Sequence, residues 1–174
     1  ATASFGHGIN TNLLQLTKGY AIISNGGFDV KPTLIKKETD VNKKTIITKA
    51  TSQKINSILR KIVVTGTAKL ANVDGYEIGG KTGTANKTIN GVYTNKKINT
   101  FASVFPISKP QFVFVVLIDE PQINNSYIYE YRDGSGFKLK GAPRNTAGWT
   151  SVEVAGKIIE KIGPILATKY IEIN

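Results

Sequence analysis

Apolar residues recur at helical spacing in three segments of the chain. The first is residues 10–25, where an Asn-Gly-Gly sequence at the end is typical of a helix stop. The second is residues 51–64, for which Thr51 or Ser52 is the expected cap. The third is residues 149–162. These patterns predict two helices before the middle of the chain and one near its end.

Between the second and third helices the apolar pattern changes to that of β-strands. The strand candidates are residues 76–87, 100–107 and 112–118, and an Asn-Gly turn signal lies within 89–97. The short connection at 108–111 predicts that the last two strands are antiparallel neighbours. The run FVFVVLI at 112–118 does not alternate with polar residues, which predicts a strand buried on both faces.

These elements together predict an α+β fold. An antiparallel β-sheet, a meander of three or more strands, would carry the N-terminal and C-terminal helices packed on it. Residues 124–143 are polar and rich in glycine, so we expect a loop there. The length of 174 residues, with 40% apolar and 20% charged residues, is typical of one globular domain or a large piece of one.

The chain has few residues suited to metal or redox chemistry. It contains no cysteine, which excludes disulfides and thiolate ligands. Its single histidine, His7, excludes a His-rich metal site, and we expect no metal and no cofactor. The longest apolar run, 112–118, is far too short to cross a bilayer. We therefore expect a soluble chain without a membrane segment.

The net charge of +11 comes mainly from lysine, since arginine occurs only at positions 60, 132 and 144. Proteins that read nucleic acids usually combine arginine forks with aromatic residues along a basic stripe. The sequence has neither feature, so we expect no nucleic-acid partner. A solvated basic surface is the favoured interpretation, and attraction to an anionic polymer or membrane surface is the alternative.

The segment GYEIGGKTGTA at 75–85 fits two different chemistries. It matches the G-x-x-x-x-G-K-[ST] pattern of a phosphate-binding loop through Lys81 and Thr82, and VFVVLIDE at 113–120 resembles a strand ending in a magnesium-binding Asp. A phosphate-binding loop, however, requires a buried strand before it and a helix that starts at its Lys-Thr. The flanking sequences LANVD and GTANKTING predict neither, so a P-loop nucleoside triphosphatase is the less favoured alternative.

The second chemistry is acyl transfer, because Lys81-Thr82-Gly83 fits the K-T-G of penicillin-recognising serine enzymes. Such a site needs a donor for the substrate carboxylate, a cation near the nucleophile and N–H groups directed at the oxyanion. Lys81 supplies the charge, and Gly83 leaves room for substrate backbone beside a strand. Thr82 and Thr84 offer hydroxyls without bulk. Three residues are a weak signal by themselves, since a Lys-Thr pair also suits a glycine-rich hairpin.

Longer segments strengthen the acyl-transfer interpretation. VTGTAKLANVDGYEIGGKTGTA at 64–85 closely resembles the class B penicillin-binding proteins, in which a Gly-Thr-Ala turn after a helix leads to Gly-Tyr and then to Gly-Lys-Thr-Gly-Thr-Ala. The segments at 6–27, 101–121 and 145–166 resemble the family's glycine-led helix, its next two strands and its closing helix. The chain, residues 1–174, is therefore identified as the C-terminal half of the transpeptidase domain of a monofunctional penicillin-binding protein of division or elongation type.

The resemblance implies a fold of the serine β-lactamase and transpeptidase type and the chemistry of a D,D-transpeptidase. In the complete domain a serine attacks the penultimate D-Ala carbonyl of a peptidoglycan stem peptide, and an amine of a neighbouring stem completes the cross-link. β-Lactams acylate the same serine. The implied catalytic residues are Lys81, for proton transfer, and Thr84, whose N–H would face the oxyanion. The implied substrate-binding residues are Thr82, Gly83 and Thr84.

The resemblance also implies partners and a location. A stem peptide ending in D-Ala-D-Ala and β-lactams are the expected ligands of the complete domain. Proteins of cell division or elongation are its expected partners. The expected location of the parent protein is the periplasmic or extracytoplasmic face of the bacterial inner membrane.

Two of the family's three motifs are missing from their usual places. The sequence contains no Ser-x-Asn, and its one Ser-x-x-Lys, at 135–138, follows Lys-Thr-Gly in a polar segment instead of preceding it on a helix. We therefore expect the half of the domain that bears the nucleophile to be absent and this chain to be inactive by itself. A second hypothesis is a self-associating or regulatory module, because an absent half would leave apolar faces exposed.

Overall fold

The computed structural model describes residues 11–35, 43–142 and 144–170, so His7 lies outside the described residues. The helices and strands, in chain order, are α1 (Leu13–Ser24), α2 (Lys49–Val64), β1 (Gly79–Ile89), β2 (Val92–Phe105), β3 (Phe112–Asp119), β4 (Ile128–Glu130), β5 (Lys138–Lys140) and α3 (Ser151–Tyr170). Short 3₁₀ turns at Lys69–Ala71 and Ala147–Trp149 precede β1 and α3.

The strands β1, β2 and β3 form one antiparallel sheet in that order. Lys81 of β1 lies opposite Ala102 of β2, and Ala102 in turn lies opposite Val115 of β3. The predicted antiparallel meander is therefore confirmed. Both Lys81 and Thr82 lie inside β1 and not at the start of a helix, so the geometry of a phosphate-binding loop is absent at this motif.

Helices cover both faces of the sheet, because successive side chains of β2 point to opposite sides. On one face Phe101 and Phe105 pack into a core with apolar residues of α3. On the other face Val104 packs with Leu59 of α2 and Tyr20 of α1. The sheet is thus a middle layer, with α3 on one side and α1 and α2 on the other.

The strand β3 is less buried than its apolar sequence predicts. Its side chains are mostly half-buried, and Leu117 is 43% exposed. Within the described residues β3 pairs only with β2, so it lies at an edge of the sheet. Its sequence does not alternate between apolar and polar residues because Val113 faces one core and Phe114 the other. The strand is still partly exposed because the helices do not cover its whole length.

The helix ends explain two further differences from the sequence prediction. The cap of α2 is Thr48, whose side chain accepts a hydrogen bond from the N–H of Thr51. Ser52 is buried instead, and its hydroxyl donates to the carbonyl of Ile23 at 2.7 Å. This bond joins α2 to the end of α1. The predicted stop after α1 is confirmed, since Gly26 has a φ of +95°.

The segment predicted as a loop at 124–143 contains the short hairpin β4–β5. Its strands have three residues each, too few for alternation to show in the sequence. Arg132, just after β4, forms a buried ion pair with Glu153 of α3 at 2.8 Å and ties the hairpin to the helix. The helix α3 also continues past the predicted end at 162, through Pro164. Among the described helices, none is long and apolar enough to cross a membrane.

Candidate functional site

The Lys-Thr-Gly-Thr residues occupy the open edge of β1, the side that does not face β2. Within the described part of the chain β1 pairs only with β2, so this edge is available to a ligand backbone. Lys81, Gly83 and Thr84 are exposed, and Thr82 is half-buried. Of the residues that the structure describes, the nearest to a Cβ added at Gly83 would be Thr100, at 3.9 Å. The strand therefore presents a clear surface at this glycine.

Thr82 and Thr84 lie on the same face of the sheet, the face that carries α3. Thr82 is opposite Phe101, whose ring is in the α3 core, and residues two apart along a strand share a face. The hydroxyls of Thr82 and Thr67 are 3.0 Å apart. The Oγ1 of Thr84 accepts a hydrogen bond from the N–H of Ala147 at 3.0 Å. Both hydroxyls are thus held in place by neighbouring segments.

A cavity of about 590 Å³ opens beside these two threonines; we call it the main cavity. It is lined by Gly66, Thr67, Lys69, Leu70, Thr82, Thr84, Tyr131, Arg144, Thr146, Gly148 and Trp149. The wall combines threonine hydroxyls, the two cations Lys69 and Arg144 and the rings of Tyr131 and Trp149. Such a lining suits an anionic group attached to a small apolar body, because hydroxyls and cations stabilise a carboxylate while the rings exclude water.

Buried polar groups hold the part of the main cavity wall that the turn before α3 forms. Asn99, opposite Thr84 and fully buried, donates from its side-chain amide to the carbonyl of Asn145 at 2.9 Å and to the hydroxyl of Thr150 at 2.8 Å. The ring of Trp149 meets Tyr129 edge-on, with 5.2 Å between ring centroids. These contacts fix the turn before α3 against the sheet. Ala147 in this turn supplies the N–H that donates to Thr84.

Lys81 lies on the other face of β1 from the two threonines. Its Nζ donates to the carbonyl of Thr82 at 2.7 Å, and the side chain is exposed. Ser135, in the predicted Ser-x-x-Lys, is exposed in the turn between β4 and β5, where its N–H donates to Asp133. The main cavity is not lined by Ser135. The structure therefore brings Thr82 and Thr84 to one face of β1, with Gly83 between them at the strand edge, and leaves Ser135 outside the main cavity.

Several residues of the main cavity are missing from the sequence prediction. Thr67 lies in the Gly-Thr-Ala turn, and Lys69 follows it two positions later, so the resemblance at 64–85 contained a signal for both. Arg144 carries no local signal, and for Trp149 the sequence predicts only that it packs the last helix onto the sheet. Across the described ranges no three His, Cys, Asp or Glu side chains lie close enough to hold a metal ion.

Comparison with known sequences identifies relatives of this chain. Residues 1–135 match the family model for the penicillin binding protein transpeptidase domain. The chain is 36% identical over 130 residues to the probable peptidoglycan D,D-transpeptidase PenA of Neisseria flavescens, covering 73% of this chain and 32% of that protein. It is 32% identical to the probable peptidoglycan D,D-transpeptidase FtsI of Caulobacter vibrioides, covering 97% of this chain and 28% of that protein. The chain thus spans about a third or less of these relatives' length.

Solved structures show the same architecture. Penicillin binding protein 3 from Mycobacterium tuberculosis, solved in complex with aztreonam, is similar with a TM-score of 0.67 and 27% identity over 91% of this chain and 37% of that one. The transpeptidase domain of FtsI4 from Legionella pneumophila is similar with a TM-score of 0.61 and 25% identity, over 86% of this chain and 46% of that one. The three-stranded sheet with its helices is therefore part of the serine β-lactamase-like fold.

The residues that match the family model include β1, the strand that carries Lys-Thr-Gly. Relatives include Stage V sporulation protein D of Bacillus subtilis, at 33% identity over 70% of this chain and 21% of that protein. This chain belongs to the penicillin binding protein transpeptidase domain family, in its class B branch.

Proposed function

We propose that this chain forms the substrate-side wall of a D,D-transpeptidase site. In this proposal Thr82 and Thr84 bind the terminal carboxylate of a peptidoglycan stem peptide, or the carboxylate of a β-lactam. The observation that carries the proposal is the pair of fixed hydroxyls at the open edge of β1, in a cavity that also holds Lys69 and Arg144. Two cations and several hydroxyl donors favour a carboxylate over a neutral amide.

The contact between Thr84 and Ala147 supports a donor role for the Thr84 hydroxyl. Because Oγ1 accepts the N–H of Ala147, the hydroxyl proton is directed away from that bond and is available to a ligand. The backbone N–H of Thr84 is proposed as one donor to the oxyanion of the tetrahedral intermediate. Gly83, which presents no side chain, lets the ligand backbone approach the strand.

The reaction itself requires a nucleophile that this site does not contain. We propose that a serine outside this chain attacks the penultimate D-Ala carbonyl, that D-Ala leaves, and that Lys81 assists the proton transfer. Ser135 is a poor candidate, because it lies in an exposed turn outside the main cavity. The chain by itself is therefore proposed to be inactive.

A covalent labelling experiment tests this inactivity. The chain is incubated with a labelled penicillin, and its intact mass is measured. We expect no adduct, whereas a stoichiometric adduct on Ser135 or on any other residue would contradict the proposal. Acylation of a serine requires a neighbouring base and oxyanion donors, so a rapid and stoichiometric reaction cannot arise from an isolated surface hydroxyl.

A titration tests the proposed carboxylate site directly. The isotope-labelled chain is titrated with acetyl-D-Ala-D-Ala and followed by amide chemical shifts. The matched control ligand is the same dipeptide with a terminal carboxamide. We expect shifts at Thr82 and Thr84 with the carboxylate only, and weaker binding by Thr82→Val. Equal shifts with the carboxamide would contradict the proposed role of the two threonines.

For the parent protein we propose peptidoglycan cross-linking at the extracytoplasmic face of the bacterial inner membrane. Proteins of division or elongation are its proposed partners. The proposal is supported by relatives named as peptidoglycan D,D-transpeptidases, among them FtsI. It predicts that the parent, recovered from its own cells, is labelled by fluorescent penicillin in the membrane fraction.

A self-associating or regulatory role is the second candidate. It is favoured by the outer edges of β1 and β3, which pair with no further strand in the ranges that the structure describes. Exposed apolar side chains on α1 also favour it, since Leu13 is 45% and Leu14 61% exposed. Light scattering of the chain over a range of concentrations tests it. We expect a dimer if this role is correct, and a strict monomer at high concentration would contradict it.

A further inference from the structure

Beyond the main cavity, a second cavity of about 380 Å³ adjoins the Lys-Thr-Gly-Thr strand; we call it the side cavity. It is lined by Thr84, Ala85, Asn86, Tyr93 and Lys97. Thr84 lines both cavities, so they meet at this residue. A ligand that lies along β1 at Thr84 would therefore contact the lining of both cavities.

The sheet register explains how Lys97 reaches this position. Asn86 of β1 lies directly opposite Lys97 of β2, and directly opposed side chains share a face of the sheet. Asn86 is two residues beyond Thr84, so it lies on the same face as the two threonines. Between Asn86 and Thr88 the pairing shifts, and Thr88 is opposite Tyr93. This bulge in β2 brings Tyr93 and Lys97, four positions apart in the sequence, to one cavity.

Among the residues that the structure describes, Lys97 differs from the other lysines at this end of the sheet in having no acidic partner. Lys87 pairs with Asp119 at 3.0 Å and with Glu120 at 2.8 Å. Lys96 pairs with Glu120 at 3.0 Å. Lys97 is half-buried and makes no ion pair with the acidic side chains that the structure describes. Its charge is therefore available to an anion in the side cavity.

We propose that Lys97 and Asn86 form a subsite for a carboxylate on the side chain of the stem-peptide residue that precedes D-Ala-D-Ala. The proposal rests on the proposed function, in which Thr82 and Thr84 hold the terminal carboxylate. Asn86 lies two strand residues beyond Thr84, or roughly 7 Å. Two extended peptide residues span the same distance, so the third residue from the peptide's end reaches Lys97.

The subsite makes Lys97 a determinant of substrate specificity. A stem peptide whose third residue ends in an ammonium group alone gains nothing from Lys97. A peptide whose third residue also carries a carboxylate gains a charge-assisted contact with Lys97 and a hydrogen bond from the Asn86 amide. The chain should therefore prefer the second kind of peptide.

The test uses two synthetic pentapeptides that end in D-Ala-D-Ala and differ only at the third residue. One carries L-lysine, and the other carries meso-diaminopimelate, which adds the carboxylate. Each is titrated into the isotope-labelled chain, and amide shifts are followed at Thr84 and Lys97. We expect the diaminopimelate peptide to bind about threefold to fivefold more tightly, the range that exposed ion pairs reach. The preference should shrink between about 50 mM and about 500 mM NaCl.

Two variants complete the test. Lys97→Gln should abolish the preference, whereas Lys96→Gln, whose side chain pairs with Glu120, should leave it intact. Shifts at Thr82 and Thr84 with equal affinity for both peptides, or a preference that survives Lys97→Gln, would overturn the subsite alone. No shift at Thr82 or Thr84 with either peptide would overturn the proposed function and the subsite with it. Amide spectra of both variants show whether each is folded.

Discussion

The hydroxyl oxygen of Thr84 and the backbone N–H of Ala147 are joined by a hydrogen bond of 3.0 Å across 63 residues of sequence. Ala147 is only 1% exposed, so its N–H has no access to bulk water. The bond couples the Lys-Thr-Gly-Thr strand to the turn before α3. The residue proposed to bind substrate thus also has a structural role.

This coupling predicts a stability effect at Thr84. Thr84→Val removes the acceptor and leaves the buried N–H of Ala147 unpaired, which costs about 1–3 kcal/mol. Thr84→Ser keeps the acceptor and should lose much less. Urea denaturation of the two variants and of the unchanged chain measures the difference. Equal stability of the Val and Ser variants would show that the bond contributes nothing.

Two glycines of β1 should respond differently to the same change. A Cβ added at Gly80 would lie 2.6 Å from the buried ring of Phe101 and 2.7 Å from the carbonyl of Ala102. Gly80→Ala should therefore destabilise the fold by about 1–3 kcal/mol. A Cβ at Gly83 has no neighbour closer than 3.9 Å in the described ranges, so Gly83→Ala should change stability by less than about 0.5 kcal/mol.

The matched glycine pair also separates folding from binding. Gly83→Ala adds a methyl group at the open edge of β1, where the proposed ligand backbone lies. We expect weaker binding of acetyl-D-Ala-D-Ala with unchanged thermal stability. Denaturation of both variants and titration of Gly83→Ala measure these effects, and unchanged binding would argue against substrate lying along this glycine.

Arg132 and Glu153 form a buried ion pair whose side chains are 4% and 5% exposed. Arg132→Met removes the guanidinium from the buried carboxylate of Glu153 and leaves it the longer ion pair with Lys157, at 3.6 Å. This should cost up to about 3–5 kcal/mol. The double variant Arg132→Met with Glu153→Met removes both charges and should be considerably more stable than the single variant. Chemical denaturation of both variants tests this, and a double variant as unstable as the single one would contradict it.

The ion pairs of Glu120, just after β3, should make the free energy of unfolding depend on pH. Hydrogen bonds from Lys87 and then from Lys96 lower the pKa of Glu120 below its ordinary value of 4.5. A carboxyl group with a lowered pKa stabilises the fold above its unfolded pKa, and this contribution is lost as the pH falls through the folded pKa. In thermal melts the unchanged chain should have a higher Tm than Glu120→Gln at neutral pH and the same Tm in strong acid. A difference in Tm that persists in strong acid would exclude this charge effect.

Much of the fold follows from local patterns. The stop after α1, the Asn-Gly turn and the antiparallel link before β3 all arise from neighbouring residues, and the structure has them. The second strand, however, was predicted at 100–107, whereas β2 begins directly after the turn, at Val92. The cap of α2 was predicted at Thr51 or Ser52 but lies at Thr48. Several hydroxyl residues precede this helix, and only the contact of Ser52 with Ile23 decides which one is buried and which one caps.

The short hairpin β4–β5 shows where local patterns fail. Strands of three residues in a polar, glycine-rich segment carry no periodicity. Their position depends on the ion pair between Arg132 and Glu153, which joins residues 21 positions apart. A pairing of this kind is a property of the packed molecule and leaves no trace in the spacing of apolar residues.

The sequence by itself determined the family-like order of segments, the α+β fold class and the strand that carries Lys81, Thr82, Gly83 and Thr84. Only the tertiary structure decided what surrounds that strand. It placed the hydroxyl of Thr67 beside that of Thr82, joined Thr84 to Ala147 and put Lys97 beside the same strand, with no acidic partner in the described part of the chain. The physical reason is that periodicity and turn chemistry act between near neighbours, whereas a binding surface is assembled from side chains that meet only when distant segments pack.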